Sequence, residues 1–435
     1  MSAAPPPNPD DARVRPPRWT RIVPWPARMP QLPVRSWKVL GLLGAAEFVD
    51  HYDVGLLSIL MVQIQAGLGV AEDQIGVVSA AIRAGVLLSL VLGVLADRIG
   101  RRRLLLITVV GYTVATFLTA FARTPFEFVA LQCLGRGFLY AETAIAIVVV
   151  TEELAAKDRG FGLGLLGALG ALGHGAAAVS LSFVDDIPFG WRALYALGAL
   201  PLVGLAWLRR SLPETQRFEA LATKRAPWWQ PILSLATAYP GRLVALLAVA
   251  FSIDFASSAA VGFMAKTLQE VHGYSLGGVT RLYLIGGALA VVGNQAAGLW
   301  SDRIGRRPLL TVLLAVMGAA FAGFYSTRGI WIAPLWVLQV FALQGVTVLM
   351  RALGSELFPT SYRTTASALR MVMATAGGSA GLLLESQLYR ELGSHTAAIS
   401  ALLPSLLIAI VLVWIALPES AARELEEVSP ERTSS

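Results

Sequence analysis

Beyond Trp37 the chain repeats one pattern, an apolar run followed by a short polar break. The runs are about 20 residues long, the length an α-helix needs to cross roughly 30 Å of hydrocarbon. They predict helices over 38–64, 75–96, 103–122, 126–150, 162–183, 189–209, 242–265, 278–300, 308–326, 331–350, 365–386 and 397–417. Backbone polar groups in lipid must be satisfied within the segment, so runs this continuous read as helices. The pattern is that of an all-α membrane protein with twelve transmembrane helices.

Composition agrees. Of 435 residues, 55% are hydrophobic and only 14% charged, well below the quarter usual in soluble domains. The net charge of +7 does not point to nucleic acid, because the basic residues gather in short breaks and at the N-terminus. Residues 1–35 are rich in Pro and Arg without an apolar run long enough for a signal-peptide core, and are expected to form a disordered cytosolic tail. The single cysteine, Cys133, excludes an intramolecular disulfide. The spacing of Cys and His suggests neither a metal nor a cofactor.

Lys and Arg set the expected orientation. Alternate breaks carry Arg98/Arg101/Arg102/Arg103, Lys157/Arg159, Arg209/Arg210, Arg303/Arg306/Arg307 and Arg363, while those between hold Glu72/Asp73 or Asp185/Asp186. The basic breaks are then cytoplasmic, as are both termini, in a multi-pass protein of the inner or plasma membrane.

One break occurs twice. Gly93-Val-Leu-Ala-Asp97-Arg98-Ile-Gly100-Arg101-Arg102 returns as Gly298-Leu-Trp-Ser-Asp302-Arg303-Ile-Gly305-Arg306-Arg307, 205 positions later. Glu152 with Arg159 returns as Glu356 with Arg363 at an offset of 204, Pro213-Glu-Thr as Pro418-Glu-Ser at 205, and Asp50 as Asp254 at 204. These markers read as a duplication into parallel six-helix halves. The expected division is a bundle over 36–211, a cytosolic loop over 212–241, a second bundle over 242–418 and a cytosolic tail over 419–435. Gly100 and Gly305 give backbone freedom to a tight turn, and Gly93 and Gly298 admit a neighbouring helix. Asp97 and Asp302 are placed to meet Arg101, Arg159 or a helix N-terminus of the opposite half. Such contacts form only when the cytoplasmic side is closed, so they are expected to weight the outward-open state. The arginines also serve topology, and both roles are expected.

Together these motifs resemble the major facilitator superfamily, over all twelve helices. The resemblance implies a rocker-switch transporter with a central site between two bundles.

Charges inside the spans are the candidates for that site, since each is costly in hydrocarbon unless it faces a cavity or partner. Helix 1 carries Glu47-Phe-Val-Asp50-His51-Tyr52-Asp53 on one broad face. Arg83 in helix 2 and Arg136 in helix 4 fall at similar depth, and Asp254 lies near the middle of helix 7. A carboxylate that parts from an arginine can take up a proton, which makes a coupling device; the same pair held closed would only pin helices together. Asp50-His-Tyr-Asp53 resembles the Asp-Gly-Tyr/Phe-Asp signature of aromatic-acid/proton symporters, and Glu47-Phe-Val-Asp50 the start of the metabolite/proton pattern. Tyr52-Asp53 resembles part of a sugar-porter element. In those families a helix-4 arginine stands where this chain has Gln132, with Arg136 one turn later. The helix-5 and helix-7 glutamines of sugar porters are missing, as is the helix-5 Gly-Pro of drug antiporters. His174 could relay protons or be structural, and Glu142 could line the inner vestibule. Glu385 is expected near water at the outer end of helix 11. Asn294, Gln295, Gln339, Gln344, Tyr283 and Trp336 could add polar or stacking contacts to a pocket.

The sequence therefore predicts proton-coupled symport of a small organic solute, most readily a carboxylate, by a monomer in the lipid bilayer. Proton-driven efflux and a non-transporting sensor are the alternatives. An enzyme is not expected, because neither a nucleophile–base set nor a phosphate loop stands out.

Overall fold

A computed structural model of the protein describes residues 13–22, 29–99, 101–154, 158–209, 229–359 and 362–419. Twelve helical rods run through these described residues, as the apolar pattern requires. In the first half, α1 is Val34–Ile59 continued by Met61–Leu68, and α2 is Ile75–Arg83 continued by Val86–Ile99. They are followed by α3 (Arg101–Thr119), α4 (Pro125–Glu153), α5 (Arg159–Leu181) and α6 (Trp191–Arg209). The second half holds α7 (Pro240–Gly262, extended through Met264–Lys266 and a π-helical turn at Thr267–Val271), α8 (Leu276–Ile304), α9 (Arg306–Ser326), α10 (Ile332–Glu356), α11 (Arg363–Leu392) and α12 (His395–Leu402 and Ser405–Ala416).

The rods begin and end on recognisable local chemistry. Thr124 caps α4 in a reciprocal capping box with Glu127, with Pro125 at the first helical position. Ser275 and Ser394 accept backbone N–H bonds at the starts of α8 and α12. Gly393, at φ 66°, ends α11 in the left-handed conformation that glycine tolerates.

Each half is held by a close helix pair, α1 on α5 and α7 on α11. A Cβ on Gly173 would lie 1.9 Å from the Phe48 carbonyl oxygen, and one on Gly377 would lie 2.3 Å from that of Phe251. The two glycines are 204 positions apart, so the duplication seen in the sequence is repeated in the packing. The halves meet along α2 against α11 and α5 against α8.

Seven described helices are long and apolar enough by themselves to cross a membrane. Helix α1 does not qualify, because Glu47, Asp50, His51 and Asp53 dilute its apolar run; α3 is only a shorter apolar helix.

Two expectations for the connecting segments need correction. Within the stretch expected to be a disordered tail, Arg13–Val14 pairs antiparallel with Leu32–Pro33, and Arg18–Ile22 is helical. Trp19 explains the order, packing edge-on to Trp37 and over Gly41, while Thr20 is buried. Within the expected inter-bundle loop, Gln230–Ala238 is a helix packed on α7. Residues 1–12, 210–228 and 420–435 lie outside the described residues.

Candidate functional site

Helix α1 brings its ionisable residues into the interior. Glu47, Asp50 and Asp53 are all buried, at 6%, 1% and 3% exposure, whereas the His51 side chain keeps 43% of its surface open. His51 Nδ1 lies 2.9 Å from the Glu47 carbonyl oxygen and 3.4 Å from its carboxylate. The face expected from helical spacing is therefore divided. Glu47 and His51 form one pair, while Asp53 interacts electrostatically with Arg136 of α4 and sits beside Tyr112 and Thr116 of α3.

Arg136 is itself buried, at 5% exposure, and one of its terminal nitrogens lacks a hydrogen-bond partner. The Asp53 carboxylate acts on it electrostatically, as do Tyr140, Tyr112 and Tyr195. Gln132, one turn earlier, turns instead to Thr119, donating from Nε2 at 3.3 Å. Arg136, not Gln132, is therefore the helix-4 side chain that faces Asp53.

Arg83 of α2 lies against the second half. The guanidinium reaches the other half, where a Cβ on Gly378 of α11 would meet Arg83 Nη1 at 2.4 Å and Ser258 Oγ at 2.3 Å. Its electrostatic partner there is Asp254, which also feels Arg370. Asp254, the repeat mate of Asp50 in sequence, thus sits between Arg83 and Arg370.

Two arginines that sequence reasoning did not single out complete this centre. Arg351 of α10 is solvent-exposed and interacts with Glu47 and His51 across the two halves. Arg370 of α11 is half-buried between Arg351 and Asp254, and its Nε lacks a hydrogen-bond partner. Arg370 stands inside the predicted span 365–386, so its signal was present. Arg351 falls one residue past the predicted end of helix 10, where an arginine reads as a topology signal.

His174 packs over Gly55 and lies within electrostatic range of His51. Glu142 is buried at 1% exposure. Gln339 and Trp336 are buried inside the second half, Gln339 donating to Met264 Sδ at 3.4 Å and Trp336 tilted against Tyr283. Gln344 belongs to α10, and the side chains of Asn294 and Gln295 lie outside the description.

The duplicated break is visible mainly in its second copy. Gly305 adopts φ 107°, a conformation open to glycine, between α8 and α9. Arg306 pairs with Glu356 at 2.9 Å and also donates to Ser301, Arg307 donates to the Trp414 carbonyl, and Glu419 accepts the Arg306 and Arg307 backbone N–H groups. Arg303 is exposed, and Arg363 donates to the Phe358 carbonyl. All these contacts stay within the second half. The side chains of Gly93, Asp97, Arg98, Gly100, Arg101, Arg102, Glu152, Arg159, Gly298 and Asp302 lie outside the description.

The opposite end of the molecule holds hydrogen bonds between the halves. Lys266 Nζ donates to Gln65 at 2.8 Å, Glu72 at 3.1 Å and Glu270 at 2.7 Å, and Gln63 donates to Gln269 at 3.1 Å. Arg390 pairs with Asp73 at 2.7 Å, Ser182 donates to Thr280 at 2.8 Å, and His395 lies between Glu72 and Glu385. Glu385, expected near water, is 0% exposed because this contact covers it. Where the two halves meet at the centre, the guanidinium groups of Arg83, Arg351 and Arg370 lie near the carboxylates of Glu47 and Asp254.

Comparison with known proteins agrees with this architecture. The family whose model matches the chain, over residues 43–331 and again over 282–434, is described as Major Facilitator Superfamily. A protein of Bacillus subtilis strain 168 named for niacin/nicotinamide transport, NiaP, is 29% identical over 91% of this chain and 99% of its own length. The gallate transporter of Pseudomonas putida is 25% identical over 80% of this chain and 84% of its own. Among solved structures, a D-xylose–proton symporter superposes with a TM-score of 0.72 at 17% identity, covering 88% of this chain and 98% of that one.

Proposed function

Because the chain belongs to the Major Facilitator Superfamily, making it a multi-pass membrane transporter and not an enzyme, we propose that it imports a small aromatic or heteroaromatic carboxylate together with protons. The observation that carries the substrate class is Arg351. An exposed guanidinium facing Glu47 and His51 across the seam is suited to a planar carboxylate, which it can grip with two parallel hydrogen bonds. Arg370, half-buried beside it, adds a second positive charge. Niacin, which one relative's name gives beside nicotinamide, and gallate, in the name of another, are both small aromatic acids.

In this reading Arg351 and Arg370 anchor the solute, rather than Arg83 or Arg136. Arg136 is too deeply buried to meet a solute, and belongs with Asp53 and Asp50 to the proton-carrying part of the site. A proton entering Asp53 releases Arg136 from its counter-charge, and the released charge favours a rearrangement of α4 against α1. Arg83 and Asp254 join the halves and part as the central site changes the side it faces. The end with Lys266 and His395 faces outward in this scheme, the Gly-Arg-Arg breaks face the cytosol, and both termini are cytosolic.

The test is uptake into proteoliposomes. Radiolabelled benzoate-type and pyridine-carboxylate acids should accumulate under an inward proton gradient. Arg351→Ala should raise KM at least tenfold, with Arg351→Lys intermediate, because an ammonium keeps the charge but not the two-pronged grip. Preference for a cation or a neutral sugar, or an unchanged KM in Arg351→Ala, would overturn the substrate class. Accumulation that persists in Asp50→Asn/Asp53→Asn would overturn the coupling assignment.

A further inference from the structure

The contacts at the outward end contain more hydrogen bonds than their ordinary protons can make. His395, at the first position of α12, has Nδ1 2.6 Å from Glu385 Oε1 and Nε2 3.0 Å from Glu72 Oε2. Each contact needs a proton between nitrogen and oxygen, and a neutral imidazole has only one N–H. The second nitrogen would otherwise turn a lone pair toward a carboxylate oxygen. We propose that Glu72, His395 and Glu385 form a proton-binding latch: closing the outward end captures one proton from that side, and opening returns it.

The surroundings favour the extra proton. Around His395, α11 contributes Glu385, the stacked ring of Tyr389 at 4.1 Å and Arg390, which is committed to Asp73 at 2.7 Å. The turn between α1 and α2 contributes Glu72 and Asp73, and the end of α7 contributes Lys266, Glu270 and the ring of Phe263 at 4.5 Å. Setting aside the Arg390–Asp73 pair, three carboxylates face one ammonium, so a proton at His395 lowers an excess of negative charge. Glu385 is 0% exposed and its Oε2 lacks a hydrogen-bond partner, a setting in which a shared proton spares the burial of a full charge. Lys266, at 2% exposure, holds the other oxygen of Glu72. Because Glu72 belongs to the first half while His395 and Glu385 belong to the second, the proton site exists only while the two halves touch.

The captured proton returns to the side it came from, so the latch drives no net movement. It makes outward acidity favour the outward-closed state. The inference rests on alternating access but not on the solute, and its test contains no solute, so an error in substrate class leaves it intact. Spin labels at Asp186→Cys and Ile330→Cys, exposed turns of the two halves at this end, in a Cys133→Ser background, would report the opening by pulsed electron resonance in nanodiscs. The closed-to-open ratio should fall when the pH is raised from about 5.5 to about 8, because only the closed state holds the captured proton. Its limiting slope is about tenfold per pH unit, that of one linked proton. Glu385→Gln supplies the missing hydrogen from an amide and should hold the end closed at both pH values. His395→Phe removes the site and should leave the end more open, with no pH slope. Unfolding cannot mimic shifts in opposite directions. A wild-type ratio that ignores pH, or a slope that survives both substitutions, overturns the latch.

Discussion

Arg136 shows how a single residue can be read from sequence only to a certain depth. Its place in an apolar helix marked it as functional, and its offset by one turn from Gln132 raised the question of which face it served. The structure gives it the face toward Asp53 and buries it there. Breaking such a pair from one side strands the other charge, at a cost of roughly 3–5 kcal/mol. Arg136→Gln should therefore lower the melting temperature in detergent sharply, and Asp53→Asn/Arg136→Gln should recover most of the loss while still failing to accumulate solute. If the two substitutions simply add, the residues do not act as a pair. Arg83 was legible as a cation inside a span but not as a partner of Asp254, because that depends on how α2 docks against α11. Lys266 and His395 gave no signal at all, since a lysine and a histidine near predicted helix ends are ordinary until the opposite half supplies their carboxylates.

At the scale of elements, twelve rods were legible because hydrocarbon leaves the backbone so few options. The breaks within rods were not. Helix α2 pauses between Arg83 and Val86, where a Cβ on Gly85 would lie 2.1 Å from the Cys133 carbonyl oxygen. That is a demand made by α4, invisible in the local pattern. Helix 5 is rich in glycine, and at Gly173 the need for it comes from the Phe48 backbone of α1. The matching contacts of α7 and α11, at Gly377 and Gly381, appear only in three dimensions, where a Cβ on Gly381 would lie 1.8 Å from the Phe255 carbonyl oxygen. Because backbone cannot yield as a flexible side chain does, Gly381→Val should destabilise the second half by at least the ~1–3 kcal/mol typical of overpacking. Gly167→Ala, where no atom stands in the way, should be neutral or stabilising. Thermal unfolding of the two variants side by side checks the contrast, and equal effects would show that the α7–α11 contact is loose.

For the whole molecule the deciding question is which contacts differ between its states, because a contact present in both shifts no equilibrium however strong it is. The duplicated break was expected to act between the halves at the cytoplasmic side. In its second copy, Arg306 pairs with Glu356 of the same half, and Glu419 ties the same turn to the end of α12. A brace of this kind travels with its bundle. Glu356→Gln should therefore lower the melting temperature and leave the outward-end distances of the spin-labelled protein unchanged. Lys266 is the opposite case, a buried ammonium of the second half that donates to Gln65 and Glu72 of the first. A hydrogen bond to a charged group contributes about 1.5–3 kcal/mol. Losing one such contact from the closed state alone should move the closed-to-open ratio by roughly tenfold to a hundredfold, since about 1.4 kcal/mol corresponds to a factor of ten. Lys266→Met, which keeps most of the stem and removes the donor, should broaden the outward-end distances toward the open state at every pH. The His395 slope should remain, because Glu72 and Glu385 still flank the imidazole. If Lys266→Met and Glu356→Gln move the distances alike, the division into a contact that switches and a contact that braces is wrong.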